Sequence, residues 1–137
     1  MKKLNNKGFT LVEIVIVIVI IAILAAMLVP SLTQWIDKSK LKTFTSACGT
    51  IKTAVWAEEA EAYATGEAVP ASAFGANGTI SKAVGKEVIK GSEVSGTAKY
   101  AVEYTYSTDS ITVVDKTFTG VWDGSAWNCY KTADGSK

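Results

Sequence analysis

KGFTLVEIVIVIVIIAILAAMLVP, from Lys7 to Pro30, is the stretch on which the reading of this chain turns. From Phe9 to Val29 it holds 21 residues, all apolar except Thr10 and Glu13. A hydrocarbon core about 30 Å thick is crossed by roughly 20 helical residues, so the segment predicts a membrane-spanning helix. Lys2, Lys3 and Lys7 precede it. Short basic flanks stay on the cytoplasmic side, which sends everything after Pro30 across the membrane. Glu13 is the anomaly. A charged residue at the centre of a spanning helix costs roughly 2.5–3.5 kcal/mol on insertion scales, and such residues usually have a partner and a task. A secretory signal peptide and a plain single-pass anchor both leave it unexplained. The signal-peptide reading also lacks a clear A-x-A site, although Ala25, Ala26 and Ser31 supply small residues nearby.

Pro30 has no amide N–H and crowds the preceding turn, so it predicts a kink. The helical pattern then resumes. Leu41, Phe44, Cys48, Ile51 and Val55 recur at spacings of three and four, one apolar stripe. Leu32 and Ile36 lie on a similar face, and Thr65-Gly66 reads as the stop. The expectation is one helix from Phe9 to Ala64, about 80 Å long at 1.5 Å per residue, apolar all round in its first half and amphipathic over 31–64. Residues 65–96 read as a connection, with a short helix over Ile80–Ile89 weakened by Gly85. The period then changes to two. Tyr100, Val102, Tyr104 and Tyr106 alternate with Ala101, Glu103 and Thr105. Ser107–Ser110 is a turn. Ile111–Val114 and Lys116–Trp122 read as one bent strand or two, Asp123-Gly124 as a hairpin turn, and Ser125–Lys131 as the last strand. The predicted class is α+β: a long helix whose amphipathic half covers an antiparallel meander of three or four strands over 97–131.

Composition excludes much chemistry. The 137 residues give one compact domain with an appendage. The 14 basic residues are all lysine, histidine is absent, and the formal net charge is +1. Without histidine, Ser-His-Asp and Cys-His centres are ruled out, and the acids show no paired spacing, so no enzyme and no cofactor is expected. Asp109, Asp115, Asp123 and Asp134 fall in or near turns but form no D-x-D-x-D-G loop, so no metal site is assigned. The four tryptophans and five tyrosines read as core or strand face before they read as a stacking platform for sugar or nucleic acid. Lys38, Lys40 and Lys42 open the amphipathic half, while Glu58, Glu59 and Glu61 close it against the helix dipole. These are solvated surface, or complementary contacts between staggered subunits. Cys48 lies on the helical stripe and Cys129 on the last strand beside Trp127. They are expected to meet at the helix–sheet interface, as a disulfide or as two buried thiols. A disulfide closing about 80 residues contributes roughly 4 kcal/mol at most.

The opening stretch resembles the class III signal of type IV pilins and pseudopilins: a short basic leader ending in Gly8, then Phe9-Thr10-Leu11-Val12-Glu13, then an apolar helix. The resemblance covers about the first 30 residues directly, and the helix-on-sheet arrangement matches the pilin fold. It implies that a prepilin peptidase cuts between Gly8 and Phe9 and methylates the Phe9 amine. It also makes Glu13, fifth in the mature chain, the assembly glutamate. The implied domains are a leader at 1–8, a transmembrane and filament-core helix at 9–30, and a headpiece at 31–137. The cut creates an α-amino cation, the partner a buried carboxylate needs. Phe9 and Glu13 are i and i+4, so the pair forms within one subunit or between neighbours. Removing three of the 14 lysines leaves 11 against 13 acids. The expected function is a structural pilus subunit, held in the inner or cytoplasmic membrane, passed to a pilus assembly platform, and polymerised into a helical homo-oligomer on the cell surface. Adhesion, twitching motility, DNA uptake and secretion all use this architecture. The alternatives are a pseudopilin of a type II secretion or competence system, and a membrane-anchored binding module that never polymerises. Pilins often tie their C-terminal region with a disulfide between loop and strand, and Cys48 departs from that pattern.

Overall fold

A computed structural model describes residues 8–105 and 108–132. The leader before Gly8, Tyr106 and Asp134 lie outside the described residues. Two units make up the chain, residues 1–39 and 40–137. The first helix, α1 (Leu11–Thr65), runs through both. It starts two residues later and ends one later than the sequence suggests, and Pro30 lies inside it without ending it. Proline removes the N–H that would bond the carbonyl of Ala26. One turn on, the Thr33 hydroxyl donates to the Pro30 carbonyl at 2.9 Å.

In the second unit α1 turns one stripe inward. Phe44, Cys48, Ile51, Val55 and Ala62 are buried, and Leu41 packs against them half-buried. Opposite lies a five-stranded sheet in the order β1-β2-β3-β4-β5, made of β1 (Val88–Lys90), β2 (Tyr100–Thr105), β3 (Ser110–Val114), β4 (Phe118–Trp122) and β5 (Trp127–Lys131). Strands β2 to β5 are the expected meander. Directly paired residues share a face, so the register places side chains in rows. Val102, Val113, Gly120 and Cys129 form one row, and Tyr104, Ile111, Trp122 and Trp127 the next. Both rows belong to the core against α1. Phe44 of α1 sits 5.6 Å from Phe118 and 6.3 Å from Tyr100, ring centre to ring centre. Ile51 and Val55 are fully enclosed, each contributing roughly 1.5–3 kcal/mol of burial.

The connection 65–96 departs from expectation. It holds a 3₁₀ turn (Ala71–Ala73), a short helix α2 (Thr79–Val84) and β1. The sequence extended the helix to Ile89 because Ile80, Val84 and Val88 share a helical spacing. Gly85 stops it instead, in the left-handed region at φ 70°, and donates its N–H to the Lys82 carbonyl. Val88 then enters β1, parallel to β2. A parallel neighbour normally needs a long crossover. Here β1 spans only three residues, about 10 Å, so residues 91–99 suffice to return the chain. The outward N–H of Val88 donates to the Ser81 hydroxyl at 2.8 Å, and its carbonyl accepts from Gly75 N–H at 2.8 Å.

The one-strand-or-two question over 111–122 resolves as two strands, split at Asp115. The Asp115 carboxylate is buried and accepts from the N–H groups of Thr117 and Phe118, both at 2.6 Å, while Lys99 pairs with its second oxygen at 3.4 Å. Asp123 likewise builds the β4–β5 hairpin, accepting from the Ser125 and Ala126 N–H groups at 2.9 Å and from the Asn128 amide.

Candidate assembly site

The N-terminal site begins with the orphan N–H groups that open every α-helix. Here Thr10 and Glu13 occupy the S/T-x-x-E spacing of a capping box. The Glu13 N–H reaches the Thr10 hydroxyl at 3.3 Å and the Thr10 carbonyl at 3.1 Å. In return the Glu13 carboxylate lies 3.5 Å from the Thr10 N–H and 3.4 Å from its hydroxyl. The carboxylate therefore has a partner within its own chain, one turn away. Sequence reasoning treated Glu13 as unpaired before cleavage and passed over Thr10, although the T-L-V-E spacing carried the signal.

Gly8 and Phe9 lie ahead of this cap and outside the helix. Phe9 is 75% exposed, and open space surrounds the α-carbon of Gly8. Both residues of the junction are thus exposed. Beyond the cap, every large apolar residue from Ile14 to Val29 stays between 44 and 71% exposed. The apolar part of α1 is long and apolar enough to cross a membrane, and none of its residues is buried within the chain. So large an apolar surface needs lipid or other copies against it.

The second site couples the two cysteines. Cys48 is fully buried on the inward face of α1, and Cys129 is half-buried on β5. Both are free thiols here. They converge on Gly120, where a β-carbon would stand 3.0 Å from Cys48 Sγ and 3.2 Å from Cys129 Sγ. Gly120 is paired directly with Cys129, so the missing side chain in the sheet makes room for both sulfurs. Thr45 adds a hydroxyl 3.5 Å from Cys129 Sγ. Burial pushes the Cys48 thiol far above the ordinary range, and Cys129 beside it adds to the rise. Cys48 is therefore a poor thiolate while the core stays closed. Sequence periodicity placed both cysteines on inward faces; it missed Gly120, which lets them approach.

Of the four turn aspartates, Asp115 and Asp123 are occupied by backbone N–H groups. Among the described residues no cluster of three or more His, Cys, Asp or Glu could hold a metal.

Residues 3–29 match the family model of the prokaryotic N-terminal methylation motif, the class III signal of type IV pilin family proteins. The match spans the leader, the Gly8-Phe9 junction, Glu13 and the apolar run. It implies processing by a prepilin peptidase and assembly into a pilus-like oligomer. No curated protein and no solved structure matches the chain.

Proposed function

We propose that this chain is the structural subunit of a type IV pilus. The observation that carries the reading is the methylation motif at 3–29, ending on an apolar helix whose surface is bare in the single chain. The prepilin waits in the inner or cytoplasmic membrane with its leader in the cytoplasm. Cutting between Gly8 and Phe9 leaves an ammonium at Phe9, which methylation keeps cationic. Subunits then exchange lipid for one another's helices. Glu13 acts as the register device: a carboxylate in a low-dielectric core is satisfied only at the offset that presents a cation. A head-to-tail contact that does not close grows into a helical filament on the cell surface. A pilin of this kind is a structural subunit and not an enzyme.

Export into an oxidising compartment supports a further step within the headpiece. Cys48 and Cys129 join as a disulfide, passing two electrons and two protons to an oxidised disulfide of the compartment through thiol–disulfide exchange. The bond ties β5 to α1 from the core side.

The test is intact mass of the mature chain from sheared surface material, with and without reductant, together with electron microscopy. The expected result is a chain starting at N-methylated Phe9, lighter by two hydrogens when unreduced, in abundant filaments. Glu13→Ala should be inserted and cleaved normally yet yield few filaments. A mature chain confined to short periplasm-spanning assemblies points to a pseudopilin. A solely monomeric membrane protein, or normal filaments from Glu13→Ala, refutes the assembly reading.

A further inference from the structure

The C-terminal end of α1 and the sheet flank an open-sided pocket of about 580 Å³. Trp56, Glu59 and Tyr63 line it from one face of α1, Tyr104 from β2, and Asp109 from the turn before β3. Its walls are thus aromatic rings with two carboxylates among them. Glu59 is half-buried, and its pKa is raised, first by burial and then by the charge of Asp109. It also sits near the helix C-terminus, where the dipole disfavours anions. Neither Glu59 nor Asp109 forms an ion pair among the described residues. Lysines of the same chain approach two of its rings, Trp56 and Tyr104, but pair with neither acid. Lys52 lies 3.3 Å from the Trp122 ring centre and 4.4 Å from that of Trp56, and Lys90 lies 5.1 Å from that of Tyr104. Neither lines the pocket.

Aromatic faces and carboxylates together recognise a cation, the rings through their quadrupole and the acids through charge-assisted hydrogen bonds. The chain contains no arginine and no histidine, so the side-chain cation that a second copy can offer is a lysine. Lys38, Lys40 and Lys42 stand exposed at the opposite end of the amphipathic half. Lys40 and Glu59 are 19 residues apart on α1, about 28 Å along the helix. A neighbour displaced by that length along the helix direction brings its lysines to this pocket, and the same displacement repeats for the next copy. We propose that the Trp56–Glu59–Tyr63–Tyr104–Asp109 pocket is an inter-subunit socket for a lysine from the 38–42 cluster of a second copy of this chain. The socket rests on the pilus reading above, and it converts a locally unfavourable arrangement of acids into a contact made only in the assembly.

Two measurements on filaments of the full chain test it. A benzoyl photophore replacing Tyr63, which is 82% exposed, should cross-link to a second copy within the peptide spanning 38–42. Glu59→Gln should raise the ratio of free to polymerised subunit about tenfold. In the same variant, the detergent-solubilised subunit should unfold at the wild-type temperature or above, because a half-buried charge has been removed. Loss of a residue that merely supports the fold would lower the unfolding temperature as well. Cross-links elsewhere on the neighbour, or Glu59→Gln filaments as durable as wild type, overturn the socket while leaving the pilus reading in place. Failure of the wild-type chain to form filaments overturns both.

Discussion

Gly120→Ala probes the closest approach between helix and sheet. The new methyl would meet Cys48 Sγ at 3.0 Å, Cys129 Sγ at 3.2 Å and Phe44 Cε1 at 3.2 Å. All three separations are shorter than a comfortable non-bonded contact, so each neighbour must yield by a few tenths of an ångström. Cys48 and Phe44 are buried on α1 and Cys129 is paired to Gly120, so yielding means easing α1 off the sheet. Overpacking of this kind costs about 1–3 kcal/mol. Replacing glycine also stiffens the unfolded chain, which offsets about 0.4–1 kcal/mol. The net expectation is a loss of about 1–2 kcal/mol, or roughly 4–15 °C in Tm for a domain of this size. The assay is thermal unfolding of the reduced full chain in detergent, followed by near-UV circular dichroism of the tryptophans. Cys48→Ala in the same background removes the nearest sulfur, so the double variant should be more stable than the two single losses predict, by about 0.5–2 kcal/mol. Unchanged or raised stability in Gly120→Ala, or strict additivity with Cys48→Ala, would refute the claim that Gly120 sets the helix–sheet distance.

Asp115→Ala strips the acceptor from two backbone N–H groups and unpairs Lys99. A loss of about 2–4 kcal/mol is expected in urea unfolding, with Asp115→Asn recovering part of it; equal stability for the two variants would show that the carboxylate is not the strand divider. Asp123 is held well below the usual carboxylate range, first by the Ala126 N–H, then by Ser125 and Asn128. Its folded pKa is depressed, so its contribution is complete at neutral pH and fades as pH falls below about 4. Asp123→Asn should therefore lower stability at pH 7 and flatten the acid limb of the stability curve; an acid limb parallel to wild type counts against this assignment.

The parts of the fold that were legible are those where one periodicity dominates a long segment. Leu41, Phe44, Cys48, Ile51 and Val55 could lie together only on a helix, and they form the inward stripe. Tyr100, Val102 and Tyr104 alternate, and Asp123-Gly124 closes the final hairpin as its chemistry demands. β1 was illegible because three residues are too few to show a period, and Val84 and Val88 mimic a helical turn. Its place is set by pairing with β2 and by the Ser81 hydroxyl, both nonlocal. The socket was illegible for the same reason: Tyr104 and Asp109 join Trp56, Glu59 and Tyr63 across some 40 residues of sequence. Acids placed against the helix dipole were the one local sign. Glu13 was legible as an anomaly in a spanning helix, whereas its bond to Thr10 depended on the helix starting at Leu11.

The Ser81–Val88 contact also bears on how headpieces would meet in the proposed filament. In a filament of the proposed kind headpieces would stand side by side at very high local concentration, where two bare sheet edges would let neighbours fuse strand to strand without end. A hydroxyl and the Gly75 amide already occupy the outward groups of Val88 at the β1 margin. That removes Val88 from the stretch of the β1 margin open to such pairing, a blunting of the kind that discourages edge-to-edge association.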